Sequence, residues 1–306
     1  MVARCKNGKY APFITEQVDA LKQLGVVCRY FGINKKGIWG YLKHIRGFQH
    51  AIQDFRPDVI HAHYGLSGLF ANAQRKIPVV TTYHGTDIND KRLLRLSKWS
   101  IRFSAFNVFV SPEIVRLAKP PHDRYALVPC GINLNDYPQM DKNQARESLG
   151  WESNRHFILF SGAFDNPIKN APLAQSAVNH LENTSLVELK GYSRSQVAKL
   201  MNAADALIMT SFSEGSPQVI KEALACGCPI VSVDVGDVAE VISDIDGCYL
   251  AQRDPQDIAS KLKQALSKKN RTSGRDRILE KGLDNQIIAR KILSVYERIL
   301  DIRKRI

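Results

Sequence analysis

Short apolar runs alternate with amphipathic segments along almost the whole chain. The runs are rich in Val, Ile, Leu and Phe, which is typical of strands buried on both faces. The segments between them repeat their apolar residues every three or four positions, as a helix does. Parallel strands need such helical crossovers, because each connection must return to the opposite end of the sheet. The chain is therefore expected to form an α/β fold with parallel sheets.

The pattern predicts strands and helices in both halves of the chain. In the first half we expect strands at Val26–Phe31, Val59–Ala62, Val79–Tyr83, Asn107–Val110 and Ala126–Pro129, with helices around residues 14–24, 39–54, 66–75, 90–104 and 112–118. In the second half we expect strands near residues 157–161, 186–190, 206–210, 229–233 and 248–250. The polar stretch Asp136–Asn154, which contains Pro138 and Gly150, is typical of a linker. We therefore predict domains at residues 1–140 and 141–285, and a final helix in residues 286–306.

Composition and length agree with a globular chain of two domains. The 306 residues are 44% hydrophobic and 24% charged, and no apolar run approaches the roughly 20 residues that span a bilayer. The residues after Met1 lack the apolar segment of a secretory signal. The six cysteines are scattered and do not show the paired spacing of a zinc site, so we interpret them as reduced thiols. These features predict a cytoplasmic protein.

The beginning of the sequence departs from the expected pattern. A domain of this kind opens with an apolar strand that ends in a glycine-containing loop, yet only Met1–Cys5 and two further residues precede Gly8. We therefore expect the first strand to be truncated or missing, and we favour a true start upstream of Met1. The mass of the natively expressed protein tests this expectation, since a mass that matches a start at Met1 contradicts it.

Positive charge is concentrated in the first half of the chain. The net charge is +13, and residues 1–150 hold 22 Lys and Arg against 11 Asp and Glu, whereas residues 151–306 hold 21 against 19. A basic domain favours an acidic partner, such as a nucleic acid, an anionic membrane surface or a phosphorylated acceptor. In Lys91–Arg102 the basic residues recur at helical spacing, with Trp99 near the boundary of the apolar face. Such a helix either lies on a membrane or packs on the core with a solvated basic face.

The most informative local feature is a predicted strand, turn and helix within residues 206–222. Small and polar residues follow the strand, and Pro217 suits the first position of a helix with Ser216 as its N-cap. Such a turn presents backbone N–H groups and the positive end of the helix dipole, which suits a phosphate. Glu214 in the turn and Glu222 in the helix add acceptors for sugar or ribose hydroxyls. Two isolated glutamates are more often solvated surface charges, but this combination fits a nucleotide-sugar.

The same segment resembles a known family. Glu214 and Glu222 stand at Glu-x7-Glu spacing, Ala-Leu-Ala-Cys-Gly-Cys-Pro follows them, and Val-Gly-Asp-Val-Ala-Glu stands at 235–240 and Asp-Gly at 246–247. This order of motifs is similar to glycosyltransferase family 4, and the resemblance runs from about residue 8 to 300. It implies the GT-B fold, in which two Rossmann-like domains face each other across a cleft and a C-terminal helix crosses back to the first domain. It also implies transfer from a nucleotide-sugar with retention of configuration, without an obligatory metal or other cofactor.

The resemblance assigns donor binding to the second domain. Gly162 and Lys169 match the family's glycine and lysine beside the donor diphosphate, but the arginine expected directly after the glycine is Ala163. Three outcomes are open: Lys169 and the helix N-terminus suffice, Lys190 or Arg194 substitutes for the arginine, or catalysis is weak. The remaining donor-site residues are expected in a base-contacting loop and at the helix N-terminus, namely Lys190, Gly191, Tyr192, Gly215, Ser216, Pro217, Gln218, Val219 and Glu222.

The first domain is expected to face the transferred sugar and the acceptor. His84-Gly85-Thr86-Asp87 follows a predicted strand and resembles the family's His-Gly-x-Asp motif. The resemblance implies that His84 orients the sugar or stabilises charge, and that Glu214 is the other catalytic residue. It also implies that Gly8 and Asp87 lie on the acceptor side.

Two further histidines alternate on a predicted strand. His61 and His63 have the spacing of a pair of metal ligands, but no third ligand is evident nearby in the sequence. We therefore interpret them as core and cleft-edge residues, and we expect no metal site.

Together these observations predict a glycosyltransferase that moves a sugar to a saccharide or lipid-linked acceptor in bacterial surface polysaccharide or glycolipid assembly. The basic first half is then explained by peripheral contact with the inner face of an anionic membrane. One alternative is a catalytically weak or inactive homologue that binds a nucleotide or a sugar, as Ala163 and the short first strand suggest. A more remote alternative is a nucleic-acid-binding protein, but no recognition motif accompanies the charge, so we expect no nucleic-acid partner.

Overall fold

The computed structural model describes residues 1–34, 37–268 and 270–304. These residues divide into two units: the first combines Met1–Gly131 with the helix that begins at Asn285, and the second comprises Ile132–Asp284. Each unit is a parallel sheet with helices between its strands, so the α/β prediction is confirmed. No helix among the described residues has both the length and the hydrophobicity that crossing a bilayer requires.

The first unit is built on one parallel sheet. Its strands are β1 (Val2–Arg4), β2 (Phe31–Ile33), β3 (Ile60–His63), β4 (Val79–Tyr83), β5 (Phe106–Phe109) and β6 (Tyr125–Leu127). Its helices up to residue 118 are α1 (Pro12–Gln23), α2 (Gly37–Leu42), α3 (Ile45–Phe55), α4 (Gly65–Ala71), α5 (Thr86–Asn89), α6 (Lys91–Phe103) and α7 (Pro112–Ala118). The described strands run in the order β2-β1-β3-β4-β5-β6. The order reverses between β1 and β3, and ligands bind open α/β sheets at such points, beyond the carboxyl ends of the strands.

The first strand is truncated, as the sequence predicted, whereas the second strand differs from the prediction. β1 is present, with three residues, and it pairs in parallel with both β2 and β3. β2 begins at Phe31 instead of Val26 because its residues pair one for one with those of β1. Residues 26–30 therefore have no strand beside them within the described part of the chain, and Val27 is 80% exposed.

The predicted helix at residues 39–54 is interrupted. The backbone N–H group of His44 bonds to the carbonyl of Tyr41, three residues back instead of four, so the α-helical pattern of α2 ends before α3 begins. The short helix α5 was not predicted, and the remaining strands and helices of this unit after β2 lie within a few residues of their predicted positions. β4 and α7 coincide with the prediction, because a continuous apolar run specifies one and an N-terminal proline the other.

The second unit contains the other parallel sheet. Its strands are β7 (His156–Phe160), β8 (Thr184–Glu188), β9 (Ala206–Met209), β10 (Ile230–Val233) and β11 (Cys248–Ala251). Its helices are α8 (Lys142–Glu147), α9 (Ala171–Val178), α10 (Arg194–Ala203), α11 (Gln218–Ala225), α12 (Val238–Ile242), α13 (Pro255–Leu266) and α14 (Gly274–Glu280), with single 3-10 turns at Leu134–Asp136 and Pro167–Lys169. The described strands run in the order β11-β10-β9-β7-β8. The order reverses between β7 and β9, so the loops after these two strands meet at the carboxyl edge.

The last helix, α15 (Asn285–Lys304), belongs to the first unit, where its apolar face packs in a core shared with α1 and the sheet. The units divide between Gly131 and Ile132, whereas the sequence analysis placed the boundary at residues 140 and 141. The difference arises because the polar stretch after Ile132 carries apolar side chains at intervals. Ile132 and Tyr137 are buried in the core of the second unit.

Candidate active site

Two residues predicted to act on the donor form an ion pair at the carboxyl edge of the second sheet. The ammonium group of Lys169, in the loop after β7, lies 2.7 Å from a carboxylate oxygen of Glu214, in the loop after β9. Both side chains are mostly buried, with 19% and 17% of their surface exposed. Because β7 and β9 flank the reversal of strand order, the pair lies where sheets of this kind bind ligands.

The second residue after β7 is a glycine, Gly162, and the side chain of Lys169 lies directly over it. A β-carbon at Gly162 would lie 2.9 Å from Cγ of Lys169, well inside the roughly 3.5–4 Å at which carbon atoms pack. The hydroxyl of Thr210 donates to the carbonyl of Lys169 at 2.9 Å, and the side chain of Asn166 caps the turn that contains the lysine. These contacts hold Lys169 in one place.

Glu222 lies on α11, the helix that follows the turn. Its half-buried carboxylate accepts a hydrogen bond from the hydroxyl of Tyr137 at 2.9 Å. Tyr137 could not be identified as a partner from the sequence, because the two residues are 85 positions apart along the chain. Gln218 and Val219 form the first turn of the same helix and are partly exposed, as contact with a donor requires.

The sequence predicted Ser216 as the N-cap of α11, but Ser216 does not hold that position. The helix begins at Gln218, and Pro217 occupies the cap position without a side-chain hydrogen bond. The hydroxyl of Ser216 instead donates to Oδ2 of Asp237 at 2.5 Å and accepts a hydrogen bond from the ammonium group of Lys221. The prediction was wrong because charged partners bind a hydroxyl more strongly than a backbone N–H group does.

An arginine that was not predicted from the sequence, Arg253, binds the backbone of the loop after β9. The guanidinium group of Arg253 donates to the carbonyls of Ser211 at 2.6 Å and Thr210 at 3.2 Å, and it lies 5.5 Å from the centre of the Phe212 ring. Gly215, a predicted donor-site residue, is buried within this loop. The conformation of the turn is thus fixed by contacts on several sides.

The two cations considered as substitutes for the missing arginine have different surroundings. Lys190 lies 2.6 Å from Asp165, in the loop that contains Ala163, and both charged side chains are exposed. Arg194 donates to the carboxylate of Asp136 at 3.0 Å. Lys190 is therefore the cation that lies beside the loop where the arginine was expected.

The loop after β8 contains the other predicted base-site residues. Gly191 has φ of +82°, in the left-handed region that favours glycine. Tyr192 is 44% exposed. Both residues are accessible to a ligand at the carboxyl edge of the sheet.

His84 lies at the carboxyl end of β4 in the first unit and is half-buried. Its Nε2 atom is 3.0 Å from Nδ1 of His63, and its Nδ1 atom is 3.7 Å from the sulfur of Cys130. Both ring nitrogens therefore have a neighbour inside the first unit. The other catalytic candidate, Glu214, belongs to the second unit.

Asp87 is used inside the first unit, which differs from the acceptor contact expected from the sequence. Its buried carboxylate accepts hydrogen bonds from the backbone N–H groups of Gly65 at 2.9 Å and of His84 and Gly85 at 3.1 Å each. Burial raises the pKa of Asp87 to about 6, although these hydrogen bonds oppose the shift. The residue holds the loops after β3 and β4 together. Gly8, in contrast, is exposed in a turn with φ of +75°.

His61 and His63 are buried, as predicted for core residues. His61 is hydrogen-bonded to the hydroxyls of Tyr296 at 2.5 Å and Thr82 at 2.7 Å. Burial lowers the pKa of His61 and of His84 to about 3, and it also lowers the pKa of His63. The three imidazoles are therefore neutral near pH 7. Among the described residues, no three His, Cys, Asp or Glu side chains lie close enough together to hold a metal ion.

These histidines are expected to make the protein less stable in acid. Their pKa values are lower in the folded than in the unfolded chain, so their contribution is complete above about pH 6.5 and is lost as the pH falls toward 3. Each can remove up to about 1.4 kcal/mol of stability per pH unit in that window. We expect the Tm to fall between about pH 6.5 and 5, and to fall less steeply in His61→Asn. Thermal unfolding over this range checks the prediction, and equal slopes for the two proteins contradict it.

Known protein sequences resemble both halves of this chain. A sequence model described as Glycosyltransferase Family 4 matches residues 10–136, and one described as Glycosyl transferases group 1 matches residues 153–268. The chain is 24% identical over 240 residues to TuaC of Bacillus subtilis (strain 168), a glycosyltransferase assigned provisionally to teichuronic acid biosynthesis, and the match covers 69% of this chain and 61% of TuaC. It is 24% identical over 285 residues to N-acetyl-alpha-D-glucosaminyl L-malate synthase of Bacillus anthracis, covering 79% and 74%. The chain thus spans about three fifths to three quarters of the length of these relatives.

Solved structures share the fold over nearly the whole chain. Sucrose-phosphate synthase from Thermosynechococcus elongatus has a TM-score of 0.83 and 16% sequence identity, with 98% of this chain and 99% of that chain covered. Anabaena HepE, in complex with UDP and glucose, has a TM-score of 0.73 and 16% identity, with 97% and 99% covered. At this identity the likeness shows the fold alone, and that fold is GT-B.

Proposed function

We propose, from the premise that this chain belongs to the family 4-like glycosyltransferases of GT-B fold, that it transfers a sugar from a nucleotide-sugar to a hydroxyl acceptor with retention. The observation that carries the proposal is the ion pair of Lys169 and Glu214 at the reversal point of the second sheet, with Glu222 on the following helix. A cation beside carboxylates suits a ligand that is part diphosphate and part polyol. That HepE was solved with UDP and glucose supports a donor of this class.

In this proposal the second unit binds the donor through three neighbouring loops. Lys169 and the N-terminus of α11 bind the diphosphate, since the first N–H groups of a helix and its dipole favour an anion. Glu222 accepts hydrogen bonds from the ribose hydroxyls, and the hydroxyl of Tyr137 orients its carboxylate. The base contacts residues 190–192 after β8.

The transfer breaks the bond between the anomeric carbon and a diphosphate oxygen and forms a bond to the acceptor oxygen, whose proton passes to the departing diphosphate. Negative charge then develops on the diphosphate, and Lys169 stabilises it there. Glu214 holds the transferred sugar beside this charge. His84 orients the sugar without adding a positive charge, because burial lowers its pKa to about 3.

Replacing Ala163 with arginine is expected to strengthen nucleotide binding about tenfold, because a charge-assisted hydrogen bond to the diphosphate contributes about 1.5–3 kcal/mol. The new side chain would start directly after Gly162, in the loop whose Asp165 pairs with Lys190. Calorimetric titration with UDP, GDP, ADP and CMP measures the change. An unchanged affinity means that Lys190 already supplies the missing charge.

We also propose that the acceptor is presented at an anionic membrane surface, as in the assembly of surface polysaccharides or glycolipids. Helix α6 buries Ser97, Ser100 and Ile101, while its other face exposes Lys91, Arg92, Arg95, Lys98, Trp99 and Arg102. Basic residues beside an exposed aromatic ring suit anionic headgroups. Co-sedimentation with vesicles should therefore rise with their anionic lipid content, and binding that ignores this content contradicts the proposal.

Turnover is the direct test of the proposed reaction. The protein is incubated with UDP-, GDP-, ADP- and CMP-sugars and a hydroxyl acceptor, and the released nucleotide and the anomeric configuration of the product are measured. We expect release from one nucleotide class and a product with the configuration of the donor; an inverted product contradicts retention. Nucleotide binding without any release favours the second candidate, an inactive homologue, which Ala163 motivates.

A further inference from the structure

A lysine of α11 is completely buried one residue before Glu222. The side chain of Lys221 has 0% of its surface exposed. An ammonium group removed from water is strongly unfavourable unless it is paired and hydrogen-bonded. Its Nζ atom donates to the hydroxyl of Ser216 and lies 3.5 Å from Oδ2 of Asp237, which is also buried. The charge is thus compensated beneath the turn that contains Glu214.

The three side chains connect three different elements of the second unit. Ser216 lies in the turn after β9, Lys221 lies on α11, and Asp237 lies in the loop after β10. The hydroxyl of Ser216 gives its single hydrogen to Asp237 at 2.5 Å. It therefore has no hydrogen left to give to a bound nucleotide-sugar. In place of the predicted contact with the nucleotide-sugar, Ser216 connects the turn to the charged groups of Lys221 and Asp237.

The backbone of the same two loops is in close contact. A β-carbon at Gly236 would lie 2.4 Å from the carbonyl oxygen of Gly215, and Gly236 has φ of +65°. Both features require glycine at this position. The turn from Glu214 to Ser216 therefore rests on the loop after β10, and the buried network ties the two loops together beside this contact.

Stability alone does not account for such a network. Replacing a buried ion pair by apolar side chains of similar volume is often neutral or stabilising, because the charges no longer have to leave water. Unlike apolar side chains, the charged and hydrogen-bonded side chains fix the positions of particular atoms, because each hydrogen bond has a preferred distance and angle. Here the atoms fixed belong to the turn that carries Glu214 and precedes the first turn of α11.

We propose that Lys221 is a positioning residue for the binding of the nucleotide-sugar. Together with Asp237, it holds Ser216 in place. Ser216 in turn keeps the turn at Glu214 and Gly215 in the conformation that binds the diphosphate. The inference rests on the proposed function, because it assigns a cause to the affinity of the same site. Lys221 itself does not contact the donor, since it is enclosed by protein.

The test compares stability with nucleotide affinity in variants of the full chain. Lys221→Met keeps most of the length of the side chain and removes its charge. The double variant Lys221→Met with Asp237→Asn removes both charges together. The matched control is Lys142→Met, which breaks another lysine–aspartate pair. The ammonium group of Lys142 lies 2.6 Å from the carboxylate of Asp205, at the amino end of β9. For each protein we would measure the Tm and the calorimetric affinity for UDP, GDP, ADP and CMP.

We expect the double variant to recover a Tm near that of the wild type while it binds nucleotide at least tenfold more weakly. The control should keep its affinity and lose little stability, because the guanidinium group of Arg146 still pairs with Asp205 at 2.5 Å. Should Lys221→Met not fold, the double variant carries the test, because it leaves no unpaired buried charge. Wild-type affinity in the double variant overturns this inference alone, whereas a wild type that binds none of the four nucleotides overturns the proposed donor site and this inference with it.

Discussion

Lys169→Met is expected to lower kcat/KM by a factor of roughly 100 to 1,000, the usual consequence of removing one group that stabilises developing negative charge. The effect is large because the arginine expected next to Gly162 is Ala163, so the leaving diphosphate depends more heavily on this lysine. Methionine retains the packing over Gly162 and removes only the charge. Steady-state rates with the nucleotide-sugar that the wild type uses measure the loss.

The control for this variant is Lys268→Met. Lys268 pairs with Asp246 at 2.7 Å, close to the distance in the Lys169 pair, but at the amino end of β11, away from the carboxyl edge. Exposed pairs of this kind contribute little to stability, and we expect kcat/KM to stay within about twofold of the wild type. A similar loss in both variants would mean that net charge, and not the position of Lys169, controls the rate.

Glu214→Gln is expected to lower kcat about 100-fold while the affinity for the released nucleotide stays the same or increases. The glutamine cannot stabilise the positive character of the sugar in the transition state, so the chemical step slows. At the same time the loss of the carboxylate frees Lys169 from an ion pair with which the diphosphate would compete. The two effects separate kcat from binding.

Rates and nucleotide affinity therefore have to be measured on the same preparation of Glu214→Gln. A parallel loss of kcat and of nucleotide affinity would contradict the expected separation. It would show that Glu214 mainly holds Lys169 in place, so that the carboxylate acts on the lysine and not on the sugar.

Much of the second unit could be predicted because its signals are local. The apolar run of β9, the small residues of the turn and the helical spacing of α11 are contiguous, and they specify a strand, a loop and a helix in that order. The resemblance to family 4 also implied that Gly162 and Lys169 act at the same site. The structure gives the physical reason, which is that the lysine side chain lies over the glycine.

The partners of these residues could not be predicted, because the contacts join positions far apart in sequence. Tyr137 and Glu222 meet only when the residues after Ile132 pack in the core of the second unit. The same is true of Lys221 and Asp237, which in the sequence are indistinguishable from solvated charges on an α/β surface. β2 was misplaced for a related reason, since its extent depends on the length of β1.

The most direct test of the account is calorimetric titration of UDP, GDP, ADP and CMP into the wild type and into Glu222→Ala. Removing Glu222 deletes the acceptor proposed for the ribose hydroxyls, and a hydrogen bond to a charged group contributes about 1.5–3 kcal/mol. We predict that one nucleotide binds the wild type and that the variant binds it at least tenfold more weakly. Binding of none of the four, or equal binding to both proteins, would contradict a donor site built on Lys169, Glu214 and Glu222.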